Sequence, residues 1–325
     1  MRSQSIAMRR IPVTAIVLTQ DEALNIAPCL LAMAPIDDIV IVDSGSTDAT
    51  LVIARSVRAD VRVFHHPFLD FGDQRNWALD NSQPRHAWIL FVDADEFLDP
   101  ELLDEIAFFI NDPGHFVGGF IAGRNYFLGR WLKYSTMYPS YQLRLLRLGR
   151  IRYRKEGHGQ REIADGPLRY FRAGWRHEGL SKGVAQWISR HNRYSSEDVE
   201  LLRSQQAQPL AWRDLCGRDP IARWRALKQL GLKLPLRPFI HFLYNYLLRG
   251  GFLDGYPGLL FCLLNLSHYL HHTVKLAERE YLDRNSPTVP PPSATAQEHK
   301  YASLPCSPSS TRLPTTATSA PSARS

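Results

Sequence analysis

The first hundred residues alternate between two patterns. VTAIVLT (13–19), DDIVIVD (37–43), VRVFHH (61–66) and WILFVDAD (88–95) are nearly continuous apolar runs rich in Val and Ile. Such runs mark strands covered on both faces. Between them, apolar residues recur at helical spacing over 21–33, 47–57, 72–81 and 99–110. Strand and helix in strict turn predict an α/β fold with a parallel sheet and right-handed crossovers. Sheets of this kind bind ligands at the carboxyl ends of their strands. That rule selects TQDEALN, DSGSTDAT, the turn into FGDQRNWAL, and DADE.

Beyond residue 111 the pattern changes. FVGGFIAGRNYF (116–127) and YQLRLLR (141–147) read as strands that extend the sheet, with an aromatic loop between them. IRYRKEGHGQREI (151–163) is polar and carries glycine, which suits an active-site loop. HEGLSKGVAQWISRHNRYSSEDVELL (177–202) turns into a helix with apolar and aromatic positions on one face. The stretch 235–278 is strongly apolar and aromatic, but no window reaches the roughly 18 to 20 apolar residues of a membrane span. Pro257 and the glycines at 250, 251, 255 and 258 are expected to break it into two short helices. The preceding stretch, 203–237, holds eight Lys or Arg and two Asp. A basic segment leading into apolar helices predicts helices lying on an anionic membrane surface; the alternative is a helical hairpin packed on the main domain. His241, His268, His271 and His272 are then expected to face that interface rather than a metal.

The domain boundaries that follow are a basic, disordered N-terminus (1–10), a catalytic domain (11–234), an amphipathic helical segment (235–284) and a disordered tail (285–325) rich in Pro, Ser, Thr and Ala. The N-terminus lacks an apolar core of signal-peptide length, which predicts a cytoplasmic start. Cys29, Cys216, Cys262 and Cys306 are scattered and form no zinc or disulfide pattern, so free thiols are expected. The net charge of +7 favours an anionic partner. No nucleic-acid partner is expected, because the basic residues adjoin an apolar segment rather than a stacking platform.

At the strand ends, Asp43 can accept hydrogen bonds from a base or ribose, or serve only in a turn. Ser44, Gly45 and Ser46 make that tight turn, and Ser46 or Thr47 is expected to cap the helix holding Asp48. Glu22 sits where a helix N-terminus favours an anion. Asp93 and Asp95, two residues apart, suit Mg²⁺ or Mn²⁺, with phosphates and water completing the shell. The competing role for this pair is helix capping, but Asp99-Pro100-Glu101 already supplies a helix start.

LTQDEALNI, IVDSGSTDAT, RNWAL and LFVDADE in this order resemble the family 2 glycosyltransferases of the GT-A fold. Trp187, His191, Arg193 and Tyr194, followed by RPFIHFLYNYLLRGGFLDGYPGL, are similar to the bacterial branch that builds lipopolysaccharide core and exopolysaccharide. The resemblance implies a GT-A sheet, a nucleotide-sugar donor expected to be a UDP-hexose, inversion at the anomeric carbon, and a lipid-linked glycan acceptor at the inner face of the cytoplasmic membrane. It assigns Thr19, Glu22, Asp43 and Asp93 to the nucleotide, and Arg75 and Asn76 to the diphosphate or ribose. Donor contacts extend to the Ser44-Gly45-Ser46 turn, Asp48 and Ala94. Asp95 would hold the metal with Asp93 close by.

Direct displacement needs a base for the acceptor hydroxyl. Relatives carry a His-Glu pair in the loop that here reads KEGHGQREI, where the pair is not intact. Glu156, His158 and Glu162 remain, and His177-Glu178 follows soon after. A carboxylate is preferred because it is ionised at neutral pH unaided; Glu156 ranks first, Glu178 second and Glu162 third. Trp131, Tyr134, Tyr138 and Tyr141 either stack on acceptor sugars or close a hydrophobic cluster. Competing functions are a non-catalytic, membrane-associated nucleotide-sugar-binding module and a nucleotidyltransferase, the latter disfavoured because TQDEALN lacks a Gly-rich phosphate loop.

Overall fold

Strands β1 (Ile11–Thr19), β2 (Ile36–Asp43), β3 (Arg62–His65) and β4 (Trp88–Asp93) pair in parallel in the spatial order 3-2-1-4. The computed structural model describes residues 10–285 apart from 211, 218 and 235. Of the two termini expected to be disordered, all but residues 10 and 285 lie outside the described residues. Helices α1 (Ile26–Ala32), α2 (Thr50–Val57), α3 (Phe71–Asn81) and α4 (Pro100–Asn111) connect these strands or follow them. The unbroken apolar runs have a simple cause. Val13, Ala15 and Val17 of β1 pack in one layer with residues of α1, α2 and α4. Ile16 packs in the opposite layer with Ala78 and Leu79 of α3.

The second half of the sheet is mixed. After β5 (Glu96–Leu98) come β6 (Gly118–Phe127), β7 (Arg130–Trp131), β8 (Tyr141–Arg147), β9 (Ile151–Glu156), β10 (Gly159–Ala164) and β11 (Leu168–His177). β8 lies antiparallel between β4 and β6, and β11 runs parallel to β6 and antiparallel to β5. The expected sheet extension by 116–127 and 141–147 is therefore present. The stretch expected as a polar loop is instead the β9–β10 hairpin. The result is the α/β architecture expected, with a parallel N-terminal half and helices on both faces.

Beyond the sheet lie α5 (Val184–Glu197), α6 (Val199–Ala207), α7 (Trp212–Leu215), α8 (Pro220–Lys233), α9 (Arg237–Leu243) and α10 (Gly255–Asn285). A π-helical turn at Tyr244–Leu248 and a 3₁₀ turn at Gly251–Asp254 join the last two. The break falls at Gly250 and Gly255, both at positive φ (75° and 68°). Pro257 does not end a helix: it is the third residue of the 31-residue α10, where its missing N–H costs nothing. His272 is buried at 5% exposure, so it does not face an interface as expected.

Asp254, buried in that turn, ties the C-terminal helices to the aromatic loop. Its carboxylate accepts from the backbone N–H groups of Lys133 (3.1 Å), Tyr134 (2.9 Å) and Ser135 (2.8 Å), and from Ser135 Oγ (2.7 Å). Trp131 packs edge-on to Tyr138 at 5.2 Å and Tyr141 to Tyr170 at 4.9 Å. Removing the carboxylate strands several donors, so Asp254→Ala should lower stability by about 3 kcal/mol. Urea unfolding checks this; a loss below about 1 kcal/mol would show that solvent replaces the carboxylate.

Candidate active site

The parallel register sets Thr19 beside Asp43 and Leu18 beside Asp93, so these strands end on one edge. Asp43 is 1% exposed and accepts from Thr19 Oγ1 (2.9 Å), Ser46 Oγ (2.5 Å) and the N–H groups of Gly45 (3.0 Å) and Ser46 (2.9 Å). Gly45 at φ +85° gives the turn its reversal. Burial opposes the charge on Asp43, but the bonds from Ser46, Thr19 and Gly45 hold its carboxyl below the ordinary range. With both oxygens engaged, Asp43 shapes the cradle.

The neighbouring loop is laced to that turn. Asp21, at φ +53°, accepts from Thr47 N (2.7 Å), and Ser46 Oγ accepts from Asp21 N (2.9 Å). α2 has Ala49 at its N-cap and no side-chain cap bond, so neither Ser46 nor Thr47 caps it as expected; Asp48 accepts from Thr50 N (2.9 Å) and reaches across to Ala23 N (3.0 Å). Glu22 pairs with Lys182 at 2.5 Å and accepts from Asn25 Nδ2 at 2.7 Å. Asn76 exchanges both of its amide bonds with the Tyr153 backbone, at 2.8 and 3.0 Å, pinning α3 to β9.

At the end of β4, Asp93 meets Arg75 Nη2 (3.2 Å) and Arg144 Nη2 (2.7 Å), and Arg144 also pairs with Glu96 at 2.5 Å. Burial raises the carboxyl of Asp93, but Arg144 and Arg75 outweigh it and hold it well below the carboxylate range. Burial pushes Glu96 up, against the pull of Arg144. Neither aspartate caps α4. Asp99 makes no side-chain cap bond there either; it pairs with Arg124, and Pro100 alone opens the helix.

Asp95 is oriented differently. Its Oδ2 lies 3.5 Å from His177 Nε2, and His177 Nδ1 meets Asn125 Oδ1 at 2.6 Å. Burial disfavours a charged His177, yet Asp95 raises it to about 9. Two ligand atoms on one small divalent ion stand about 3 to 3.5 Å apart at coordination distances near 2.1 Å. The Asp95–His177 pair is spaced for that bite once Nε2 of His177 gives up its proton to a bound ion, whereas the two arginines take up Asp93. Among the described residues, no group of three or more His, Cys, Asp or Glu is placed to hold a metal. A bound ion would therefore draw its remaining ligands from phosphate and water.

These residues open onto one cavity of about 1080 Å³. Thr19, Glu22, Ser44, Arg75, Asp93, Ala94 and Asp95 line it; Asp43, Gly45, Ser46, Asp48 and Asn76 do not. Glu156, Glu162 and Glu178, the carboxylates ranked as bases, do not line it either. Glu156 pairs with Arg161 at 3.5 Å, Glu178 with Arg176, and Glu162 sits opposite Tyr153 in the hairpin. Trp131, Tyr134, Tyr138 and Tyr141 are also absent from its walls; Trp131 packs on Tyr138 and Tyr141 on Tyr170.

A family model, "Glycosyl transferase family 2", matches residues 14–180, from within β1 to just past β11. The chain belongs to glycosyl transferase family 2. Family members similar to it include the lipopolysaccharide core biosynthesis glycosyltransferase LpsC of Rhizobium meliloti (strain 1021), 30% identical over 148 residues, which are 44% of this chain and 54% of LpsC. An uncharacterized glycosyltransferase of Rickettsia bellii (strain RML369-C) is 38% identical over 97 residues, 30% of this chain and 32% of that protein. The chain thus spans about half the length of LpsC and a third of the Rickettsia protein. Among solved structures, the mannosyltransferase PcManGT from Pyrobaculum calidifontis in complex with GDP-Man and Mn²⁺ is 16% identical, with 82% of this chain and 87% of that one covered and a TM-score of 0.45.

Sequence reasoning missed four contributors within this family site. Arg144 had a visible signal, a lone charge inside the apolar run YQLRLL. Lys182, Gln160 and the role of His177 beside Asp95 had none, since each comes to the cavity from more than sixty positions away from its partner.

A depressed carboxyl contributes stability that is present above its unfolded pKa near 4 and lost as pH falls through its lower folded value. Asp43→Asn should therefore be less stable than wild type at pH 7, by about 1 to 3 kcal/mol, with the gap closing toward about pH 3. Urea unfolding at both pH values checks this, and a constant gap would refute the ionised role.

Proposed function

We propose that the chain transfers a hexose, with inversion, from a nucleotide sugar to a glycan acceptor at a membrane surface. UDP is the expected nucleotide, and a lipopolysaccharide-type, lipid-linked glycan the expected acceptor. The observation that carries this reading is the convergence on one cavity of Thr19, Glu22 and Ser44 at the strand ends with the Asp95–His177 pair.

Thr19 and Ser44 border the pocket for the nucleoside, on a cradle stiffened by Asp43. Asp95 and His177 would hold a divalent ion, Mg²⁺ or Mn²⁺, with the imidazole favouring Mn²⁺ over the harder Mg²⁺. When bound, such an ion offsets the negative charge that develops on the departing diphosphate. Arg75, buried against Asp93, supplies fixed positive charge at the same end of the cavity. Trp187 and Tyr194 of α5 also line the cavity, stacked on His191 and His158.

The membrane half of the proposal rests on the C-terminal helices. No single helix among the described residues is long and apolar enough to cross a membrane. The pair Arg237–Leu248 and Gly251–Asn285 reaches that composition together, but is bent by 68°. Phe239, Leu243, Leu247, Leu248, Phe252 and Tyr256 are exposed on it, next to the basic stretch 203–237. This combination suits peripheral attachment to the anionic inner face of the cytoplasmic membrane.

Two measurements test the proposal. Release of nucleoside diphosphate from UDP-, GDP- and dTDP-sugars should need Mn²⁺ or Mg²⁺ and stop with EDTA, and Asp95→Ala or His177→Ala should lower it about 100-fold. Equal turnover in wild type and Asp95→Ala would remove the metal assignment. Leu247→Glu with Leu248→Glu should abolish co-sedimentation with vesicles containing anionic lipid without changing the melting temperature. Unchanged co-sedimentation would remove the membrane assignment.

A further inference from the structure

The base is unassigned by the residues above. The carboxylates that do line the cavity are committed: Glu22 to Lys182, Asp93 to two arginines, Asp95 to His177, and Asp21 to the Thr47 backbone. Three imidazoles line it as well. His177 has both ring nitrogens engaged. His191 stacks on Trp187 at 3.6 Å and bonds its backbone carbonyl, and burial pushes it down to about 4, so it holds a proton poorly.

His158 is different. It sits at the turn of the β9–β10 hairpin with its side chain 40% exposed in the cavity wall, stacked on Tyr194 at 4.7 Å. Its Nδ1 lies 2.7 Å from Asp198 Oδ2, and its backbone N–H donates to Asp198 Oδ1 at 2.9 Å. Asp198 also meets His272 Nε2 of α10 at 3.3 Å. Burial raises the carboxyl of Asp198, but the bonds from His158 and His272 hold it well below the ordinary range, so it is the ionised acceptor. An ionised acceptor on Nδ1 requires the proton there, which leaves the lone pair on Nε2. Among the described residues Nε2 has no partner. The loop is built around this contact: Gly157 stands at φ +59°, and a Cβ on it would lie 2.4 Å from Asp198 Oδ1. The groups facing His158 are Asp198 from the α5–α6 junction, Tyr194 from α5 and His272 from α10, with His191 and His268 adding charge-dependent repulsion.

We infer that His158 is the catalytic base of the transfer and that Asp198 is the residue that positions it, an assignment that rests on the glycosyl-transfer reading above. The acceptor hydroxyl gives its proton to His158 Nε2. Its oxygen forms the new bond to the anomeric carbon as the bond from that carbon to the diphosphate oxygen breaks. The electron pair of the broken bond leaves with the nucleoside diphosphate, and Asp198 stabilises the imidazolium.

The test uses the full chain, the nucleotide sugar that wild type turns over fastest, and water as stand-in acceptor. His158→Gln should lower kcat about 100-fold while leaving the calorimetric Kd for the nucleoside diphosphate within about threefold. Asp198→Asn should lower kcat about 10-fold or more with the same unchanged Kd. Added imidazole should restore part of the turnover of His158→Ala, which a purely structural role would not produce. The assignment is overturned if His158→Gln keeps kcat within about threefold of wild type, or if Glu156→Gln, Glu162→Gln or Glu178→Gln loses more than it does. Loss of nucleotide affinity in step with kcat overturns it too. No release by wild type from any nucleotide sugar would overturn the transfer reading and the base with it; normal wild-type turnover with an unimpaired His158→Gln overturns the base alone.

Discussion

Two buried arginines at the end of one strand hold the site together. Arg75 is 4% exposed and Arg144 3%, and both reach Asp93, while Arg144 also holds Glu96. Buried charges are costly unless they are paired and hydrogen-bonded. Here the pairing ties α3, β4, β5 and β8 together through the carboxylates of Asp93 and Glu96. The rings of Phe91, Tyr153 and Trp175 pack against the guanidinium groups and keep water out. With Asp93 neutralised in this way, Asp95 is the member of the pair left to turn toward His177.

The same cluster reaches the hairpin that carries His158. Arg75 Nη1 donates to Gln160 at 2.9 Å, two residues beyond that histidine. On its other side the hairpin turn is held by Asp198, which is itself held by His272 of α10. A continuous set of hydrogen bonds thus runs from the strand end through the hairpin to the C-terminal helix. Asp254 makes a second link, from the turn before α10 to the aromatic loop. The C-terminal segment is therefore part of the architecture that positions the cavity, as well as the surface that exposes apolar side chains.

Much of the fold was legible in the chain because burial on both faces forces continuous apolar runs, and helices must intervene between parallel strands. The motif order along the first hundred residues then pointed to the family. The departures have separate causes. The stretch 235–278 was expected to break at Pro257 and the glycines around it; the break falls at Gly250 and Gly255, while Pro257, in the first turn of α10, is harmless. Asp99 was assigned a cap that Arg124 takes from it. Glu156, Glu162 and Glu178 were ranked as bases on charge alone; none lines the cavity, and Glu156 and Glu178 pair with arginines. Asp99 lost its cap to a partner twenty-five positions away, whereas Glu156 and Glu178 are held by arginines within five residues of them.

By itself, the sequence determined the sheet, its ligand-binding edge and the residues Thr19, Glu22, Asp93 and Asp95 on that edge. These follow from periodicity and from the chemistry of short segments, which neighbours along the chain control. Only the tertiary structure decided what each charge does. Asp43 became a turn brace, Asp93 an anchor for arginines, and Asp95 a partner of His177 eighty-two positions away. Whether a carboxylate or an imidazole is free to meet a substrate depends on which opposite charge arrives first, and those charges came from strands and helices that the chain brings together only on folding.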